Sequence, residues 1–472
     1  MNLRAKNWLS AVLSCLLMTA PLTAGYELAV DDRGSVLYVA QRIAYKMMEM
    51  YPGNKTNGIP GLFGDPYYWW EAGAVFGALV DYWYYTGDAG YNHVVTEALL
   101  HQMGPDQDYM PPNQSKSLGN DDQCFWGLTV ISAAEKNFPD PPKGQAQWLA
   151  LAQAVFNTQA LRWDTSTCGG GLRWQIYSFN NGYTYKNTIS NGCFFQLAAR
   201  LARYTNNATY AHWATKAYDW THNLGLATPD QRYFDGSDSQ GNCTAVNWVQ
   251  WSYNAGTYLA GAAYMYNFTN GDPVWGSRVE SILDMTRIFF TTPPFGPNDT
   301  MFEQACERPV TCNVDQRSFK AYFARFLALT VKMVPWTAPH IMPKLRTSAV
   351  AAAAACSYGE DKNTCGMKWY APQWDGLYGI GEQISALEVI QNTLVHEVGI
   401  PVTEDAGGTS VGDPAAGSYR GPNRGRNRGD GSSSMSIQEE LAAGMTRKQM
   451  VGAWVATVVT VLLTFVFVYW VY

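Results

Sequence analysis

Charge is what this sequence is shortest of. Only 15% of its 472 residues are Asp, Glu, Lys or Arg, and the formal net charge is −6. Such a chain carries no basic footprint for nucleic acid. Its one concentrated basic run, SYRGPNRGRNRG with Arg420, Arg424, Arg426 and Arg428, falls in a Gly-rich stretch and reads as a solvated linker. Histidine is scarce as well. The six, at positions 93, 101, 212, 222, 340 and 396, show no metal-ligand spacing, and no Cys-x2-4-Cys pair or HExxH motif supports a zinc site. FDGSDSQGNCTAV, entered at Asp235, lacks the glycine and the closing acid of a calcium EF-hand loop. GTSVG matches a hydrolase elbow only formally, with no strand before it and no helix after it. Neither a metal nor a cofactor is expected. Strand alternation is almost missing between residues 26 and 403, and no fixed-period repeat marks a solenoid.

The two ends are apolar. Arg4 and Lys6 precede an apolar run from Trp8 to Met18 and small residues near Ala24 and Gly25, so residues 1–25 are expected to be a secretory signal peptide. Eight cysteines then remain: Cys124, Cys168, Cys193, Cys243, Cys306, Cys312, Cys356 and Cys365. An even count in a secreted chain favours disulfides, and Cys306–Cys312 and Cys356–Cys365 are the local pairs. Six N-x-S/T sequons, at Asn54, Asn113, Asn207, Asn242, Asn267 and Asn298, fit the same route. Residues 404–450 are poor in large apolar residues and rich in Gly, Ser and Arg, as a disordered stalk would be. Residues 451–472 are long and apolar enough to span a bilayer. No Lys or Arg follows them, and Arg447 and Lys448 lie on the luminal side, against the positive-inside pattern of a true span. A glycosylphosphatidylinositol (GPI) signal, whose tail is removed, is the preferred reading, with attachment within the stalk. The expected place is therefore the outer face of the plasma membrane and the cell wall.

Aromatics are plentiful: 18 Trp, 29 Tyr and 19 Phe. Between the ends run twelve helical patterns, at about 31–50, 67–85, 89–104, 120–136, 144–161, 186–204, 208–224, 245–266, 272–290, 314–334, 342–357 and 379–398. The odd-numbered ones are amphipathic. The even-numbered ones are low in charge, rich in Gly, Ala and aromatics, and open on polar–aromatic motifs, as a helix buried on every side would. Six buried helices alternating with six amphipathic ones predict an all-α (α/α)6 barrel. Its inner helices would bring Trp69, Trp70, Glu71, Asn120, Asp121, Asp122, Asn191, Asn254, Lys320, Glu382 and Gln383 to one mouth. Trp174 and Trp374 are further candidates, because an indole offers sugars an apolar face with a polar edge.

The stretch GNDDQCFWG sets Asp121 beside Asp122 at the start of the fourth helix. Helix capping by Asn120, with both aspartates in the first turn, is one reading. The other is chemical. Neighbouring Asp side chains can meet the ~5–5.5 Å carboxyl separation of a retaining glycosidase, and two close like charges push one pKa up, as an acid needs. NDDQCFWG, CGGGLRWQI, TISNGCFFQLAARLARYT, VQWSYNAGTYLAGAAYMY, FKAYFARFLA and GIGEQISALEVIQ together resemble the successive motifs of glycoside hydrolase family 76, and the fungal GPI-anchored wall proteins within it. The resemblance spans residues 26–400 and implies an (α/α)6 fold and retaining cleavage of α-1,6-mannosidic bonds. It also implies Asp121 as nucleophile, Asp122 as acid/base, and transfer from the mannose glycan of GPI anchors to wall β-glucan. Cys124, inside the motif, would then join a disulfide buttressing the site. A mannan-binding, lectin-like wall module without turnover is the alternative.

Overall fold

The computed structural model describes residues 25–371 and 374–407. Residues 1–24 of the expected signal peptide (1–25), residues 408–450 of the expected stalk (404–450) and the apolar tail lie outside the described residues. Twelve α-helices fall where the twelve patterns do: α1 (Arg33–Glu49), α2 (Trp69–Thr86), α3 (Asn92–Gln102), α4 (Asn120–Glu135), α5 (Trp148–Leu161), α6 (Thr188–Thr205), α7 (Ala208–Asn223), α8 (Ser252–Phe268), α9 (Pro273–Met285), α10 (Phe319–Met333), α11 (Ala338–Ala354) and α12 (Ile380–Gln391). The even-numbered helices pack side by side in sequence order, and α12 returns to pack against α2. The odd-numbered helices lie outside this ring. Because the ring closes, the fold is an (α/α)6 barrel and not an open solenoid.

Burial explains the sorting. In α1 the buried residues Val36, Val39, Ala40, Ile43, Ala44 and Met47 recur at three- and four-residue spacing, a single apolar stripe. In α6 every residue but Thr205 is buried. Neighbouring inner helices come so close that a Cβ on Gly261 of α8 would stand 2.4 Å from the Phe195 ring of α6.

Below the barrel mouth, six ionisable side chains meet inside this apolar ring. Asp81 of α2, Lys136 after α4, Arg325 of α10 and Glu388 of α12 form one ion-paired group. Arg200 of α6 pairs with Glu135 of α4, which also accepts a bond from Tyr264 of α8. Three acids balance three bases drawn from five of the inner helices, and the sixth, α8, adds the Tyr264 hydroxyl. Each side chain is almost fully buried, so the charges hold the ring together only as a set. The C-terminal segment is fastened at this same end: Val402 N–H donates to Glu135 O, Glu404 N–H to Tyr204 O, and Arg203 to Val402 O.

Disulfides join Cys306 to Cys312 and Cys356 to Cys365, the two local pairs expected, and Cys168 to Cys243 across 75 residues. The expected disulfide at Cys124 does not form. Cys124 and Cys193 are buried thiols on neighbouring inner helices, packed as small apolar side chains, and the Cys168–Cys243 link staples the loops beside the cleft instead. Of the six sequon asparagines, Asn267 is half-buried and takes a 2.7 Å bond from Arg203, whereas the other five are exposed.

Candidate active site

The inner helices begin at one end of the barrel, and there a cleft of about 200 Å³ opens. Four aspartates line it (Asp121, Asp122, Asp235 and Asp315), together with six aromatic rings and Asn187; among the described residues no Lys or Arg does.

The helix α4 starts one residue earlier than Asn120 would place it. Gly119 is the cap residue, extended at φ −96°, and Asn120 is already helical. Asp122, three residues on, reaches back to accept the Gly119 N–H at 2.7 Å. A Cβ at Gly119 would stand 2.3 Å from Asp121 Oδ1 and 3.3 Å from Asp122 Oδ2, so only glycine leaves both carboxylates room. Asn120 turns away and is consumed in structure, donating to Arg173 O and accepting from Arg162. Its backbone N–H holds Trp174 O at 2.8 Å, which draws the 172–177 loop and its indole to the aspartates.

Short strands deliver the other walls. β1 (Tyr185–Asn187) runs straight into α6 and pairs antiparallel with β2 (Gly236–Asp238), which pairs with β3 (Val246–Asn247). This places Tyr185, Asn187 and Asp235 in the cleft. Asp235 accepts from Tyr185 Oη (2.6 Å), Trp251 Nε1 (2.9 Å) and Asn247 Nδ2 (3.2 Å), three donors that fix its carboxylate. Asp315 lies in a 3-10 turn before α10 and accepts from Trp70 Nε1 at 3.2 Å.

The paired aspartates differ in their surroundings. Burial pushes the Asp121 carboxyl up to about 7, against hydrogen bonds from Asn187 and the Asp122 backbone N–H. Asp122 is pushed well above the carboxylate range by burial and then by the Asp121 charge, and it has only the Gly119 N–H in compensation. Asp122 therefore keeps a proton where Asp121 gives one up. Asp315 is also raised by burial, against its bond from Trp70.

Asn187 caps α6 through Oδ1, taking the Ser190 N–H at 3.2 Å, while its Nδ2 donates to Asp121 Oδ2 at 3.1 Å. Removing this donor destabilises the ionised form of Asp121. In Asn187→Ala the acid limb of kcat/KM is expected to move to higher pH by about one to two units, since a hydrogen bond to a charge is worth about 1.5–3 kcal/mol. A pH–rate profile of the purified variant checks this, and an unmoved limb would refute the coupling.

Of the residues singled out by sequence, Trp70, Asp121, Asp122 and Trp174 come together in the cleft. The others stand behind it or apart. Trp69 stacks on Trp126 and donates to Gln102. Glu71 is 1% exposed and raised well above its usual range by burial and by Asp315 and Glu382. Asn191 ties Leu172 to α6, and Asn254 is buried within α8. Lys320 pairs with Glu307 beneath the Trp369 ring. Trp374 stacks on Tyr358. Glu382 pairs with Arg317, and Gln383 bonds to the backbones of Cys365, Ile43 and Asn363. A helix turns about 100° per residue, so a neighbour points elsewhere. The cleft takes Tyr253 and Phe319, each one step before the residue expected. Asp235 and Asp315 had weaker signals: one in the failed calcium loop, the other in the first turn of the tenth pattern.

Residues 35–405 match the family model for glycosyl hydrolase family 76. The mannan endo-1,6-alpha-mannosidase DCW1 of Saccharomyces cerevisiae is 50% identical over 409 residues, 86% of this chain and 90% of that protein. The mannan endo-1,6-alpha-mannosidase DFG5 of the same yeast is 44% identical over 418 residues, 88% of this chain and 90% of that one. The crystal structure of Dfg5 from Chaetomium thermophilum in complex with glucosamine superposes with a TM-score of 0.79 at 44% identity, covering 84% of this chain and 98% of the other. An inactive variant of the α-1,6-mannanase GH76A of Salegentibacter sp. HEL1_6, in complex with α-1,6-mannotriose, shares the fold at a TM-score of 0.61 and 16% identity, over 76% and 99% of the two chains.

Proposed function

The chain belongs to glycosyl hydrolase family 76, and from that premise we propose that it is a retaining, endo-acting α-1,6-mannosidase in which Asp121 is the nucleophile and Asp122 the acid/base. The observation that carries the assignment is the unequal setting of the pair: Asp121 has the Asn187 donor, and Asp122 faces the Asp121 charge. In the first step an Asp121 oxygen attacks the anomeric carbon of a mannosyl unit. The glycosidic bond breaks, and the departing oxygen takes the Asp122 proton. In the second step an acceptor hydroxyl gives its proton to Asp122 and its oxygen replaces Asp121 at the same carbon. Two inversions return the α configuration. Trp70 and Trp174 offer faces for sugar rings.

The natural donor in this reading is the core glycan of a GPI anchor at the cell surface, and the acceptor is wall β-glucan. Four aspartates, with no Lys or Arg lining the cleft among the described residues, suit a glycan that carries a cationic amino sugar. The glucosamine in the Chaetomium relative supports the same idea.

To test this, residues 26–407 would be incubated with an α-1,6-mannosyl GPI-core glycan, with and without a β-glucan oligosaccharide, and the products identified by mass spectrometry. Donor–acceptor chimeras retaining α configuration are expected. Free mannosides alone would reduce the activity to hydrolysis, and binding without turnover would favour the lectin-like reading.

A further inference from the structure

On the flank of the barrel, away from the catalytic carboxylates, a second groove of about 510 Å³ runs along α7. That volume is in the range of small-ligand sites. Its walls are Trp163 and Trp220, whose rings meet edge to face at 5.8 Å, and Trp220 is fixed by a 3.0 Å bond from Nε1 to Cys168 O. Lys216 also lines the groove, its ammonium 4.0 Å from the Trp213 ring centroid and 5.0 Å from that of Trp163. Lys216 pairs with no carboxylate among the described residues, and burial lowers its pKa. Indole faces with a held, unneutralised donor suit a neutral sugar carrying amide and hydroxyl acceptors.

Cys168, Gly169, Asp219, Asn223 and Leu224 also line the groove, the Asp219 carboxylate paired with Arg278 at 3.3 Å, and Asn242, first residue of the sequon Asn242-Cys243-Thr244, completes it. It is exposed, in a left-handed turn at φ +49°. Its amide oxygen is tied down by the Cys168 N–H at 2.7 Å, which leaves the amide nitrogen, the atom that bears a glycan, as the free end. We propose that Asn242 carries an N-linked glycan whose first N-acetylglucosamine units lie in this groove, against the half-buried Trp163 indole, the rim of the buried Trp220 and Lys216. The linkage forms when a lipid-diphosphate-borne oligosaccharide is transferred to Asn242 Nδ2. The nitrogen–carbon bond forms, the bond to the lipid diphosphate breaks, and one amide proton is lost.

The glycan would then act as a splint. Asn242 sits beside the Cys168–Cys243 disulfide, which joins the β2–β3 turn to the loop leading to Arg173 and Trp174. Sugar packed in the groove would brace from outside the loops that wall the cleft, a role independent of the catalytic reading.

The test uses the protein secreted from a eukaryotic host and a small amine-acylating ester, read peptide by peptide. Thr244→Ala removes the sequon but keeps Asn242 and its bond to Cys168. Glycan on the Asn242 peptide is expected, with Lys216 acylated several-fold more slowly than in Thr244→Ala, while exposed Lys116 and Lys143 react equally in both. Hydrogen exchange in residues 164–175 should be faster in the variant. An unmodified Asn242 would overturn the proposal. So would a glycan that leaves Lys216 reactivity unchanged, for it would then stand in solvent. Neither readout depends on turnover.

Discussion

Asp121→Asn is expected to lower turnover about 10⁴-fold, the scale of loss when a covalent nucleophile is removed, and at the same time to make the protein more stable at neutral pH. The amide matches the carboxylate in size and can still meet Asn187, but it cannot attack the anomeric carbon. The stability gain follows from the direction of the pKa shift. Burial raises Asp121 from an unfolded value of about 3.9 to about 7 in the fold. Between those values the native state binds more protons than the unfolded chain, so stability falls as pH rises through the window. Asparagine has no such dependence. The melting temperature of the variant should exceed that of the parent at about pH 7.5 and converge with it at about pH 4. Product analysis with two melting curves checks both halves. A variant that loses turnover and stability together at neutral pH would mean that the ionised pair is supporting the fold.

Arg325→Met should produce the largest loss of stability, about 3–5 kcal/mol, because it leaves buried acids without their cation. Arg325 Nη2 lies 2.6 Å from Glu388 Oε1 and its Nε 3.3 Å from Asp81 Oδ2, with both acids at most 1% exposed. Lys136 can still answer Asp81, but Glu388 keeps only Asn392. Adding Glu388→Gln to Arg325→Met should therefore recover part of the loss, since the cost lies in the stranded charge. Urea unfolding of the two variants decides the matter. Equal stability of the single and double variants would show that Glu388 protonates freely in place.

That ion network also marks where the sequence is hard to read. The helices were legible because each carries its own period, and the ring because low-charge helices alternate with amphipathic ones. Arg200 and Glu135 are 65 positions apart, and Arg325 and Glu388 are 63. No local pattern encodes such pairing. In the cleft, the Asp pair and Trp70 were found because they open helices. Trp174 was a candidate only as an indole with a face for sugar, a signal it shared with Trp374, which packs on Tyr358 instead. Asp235, Asn187 and Tyr185 are brought in by two- and three-residue strands too short to leave a periodic trace. Tyr253 and Phe319 belong to motifs that the sequence marks through their neighbours Asn254 and Lys320, a rotation of about 100° that only packing resolves.

The fastening of residues 402–404 to the ends of α4 and α6 bears on how the molecule is presented. Those are the ends opposite the mouth where the inner helices begin, so residues 402–407 close the rear pole of the barrel and stay clear of its front. Among the described residues, a long glycan therefore meets the opening head-on, with nothing of this C-terminal segment in its path.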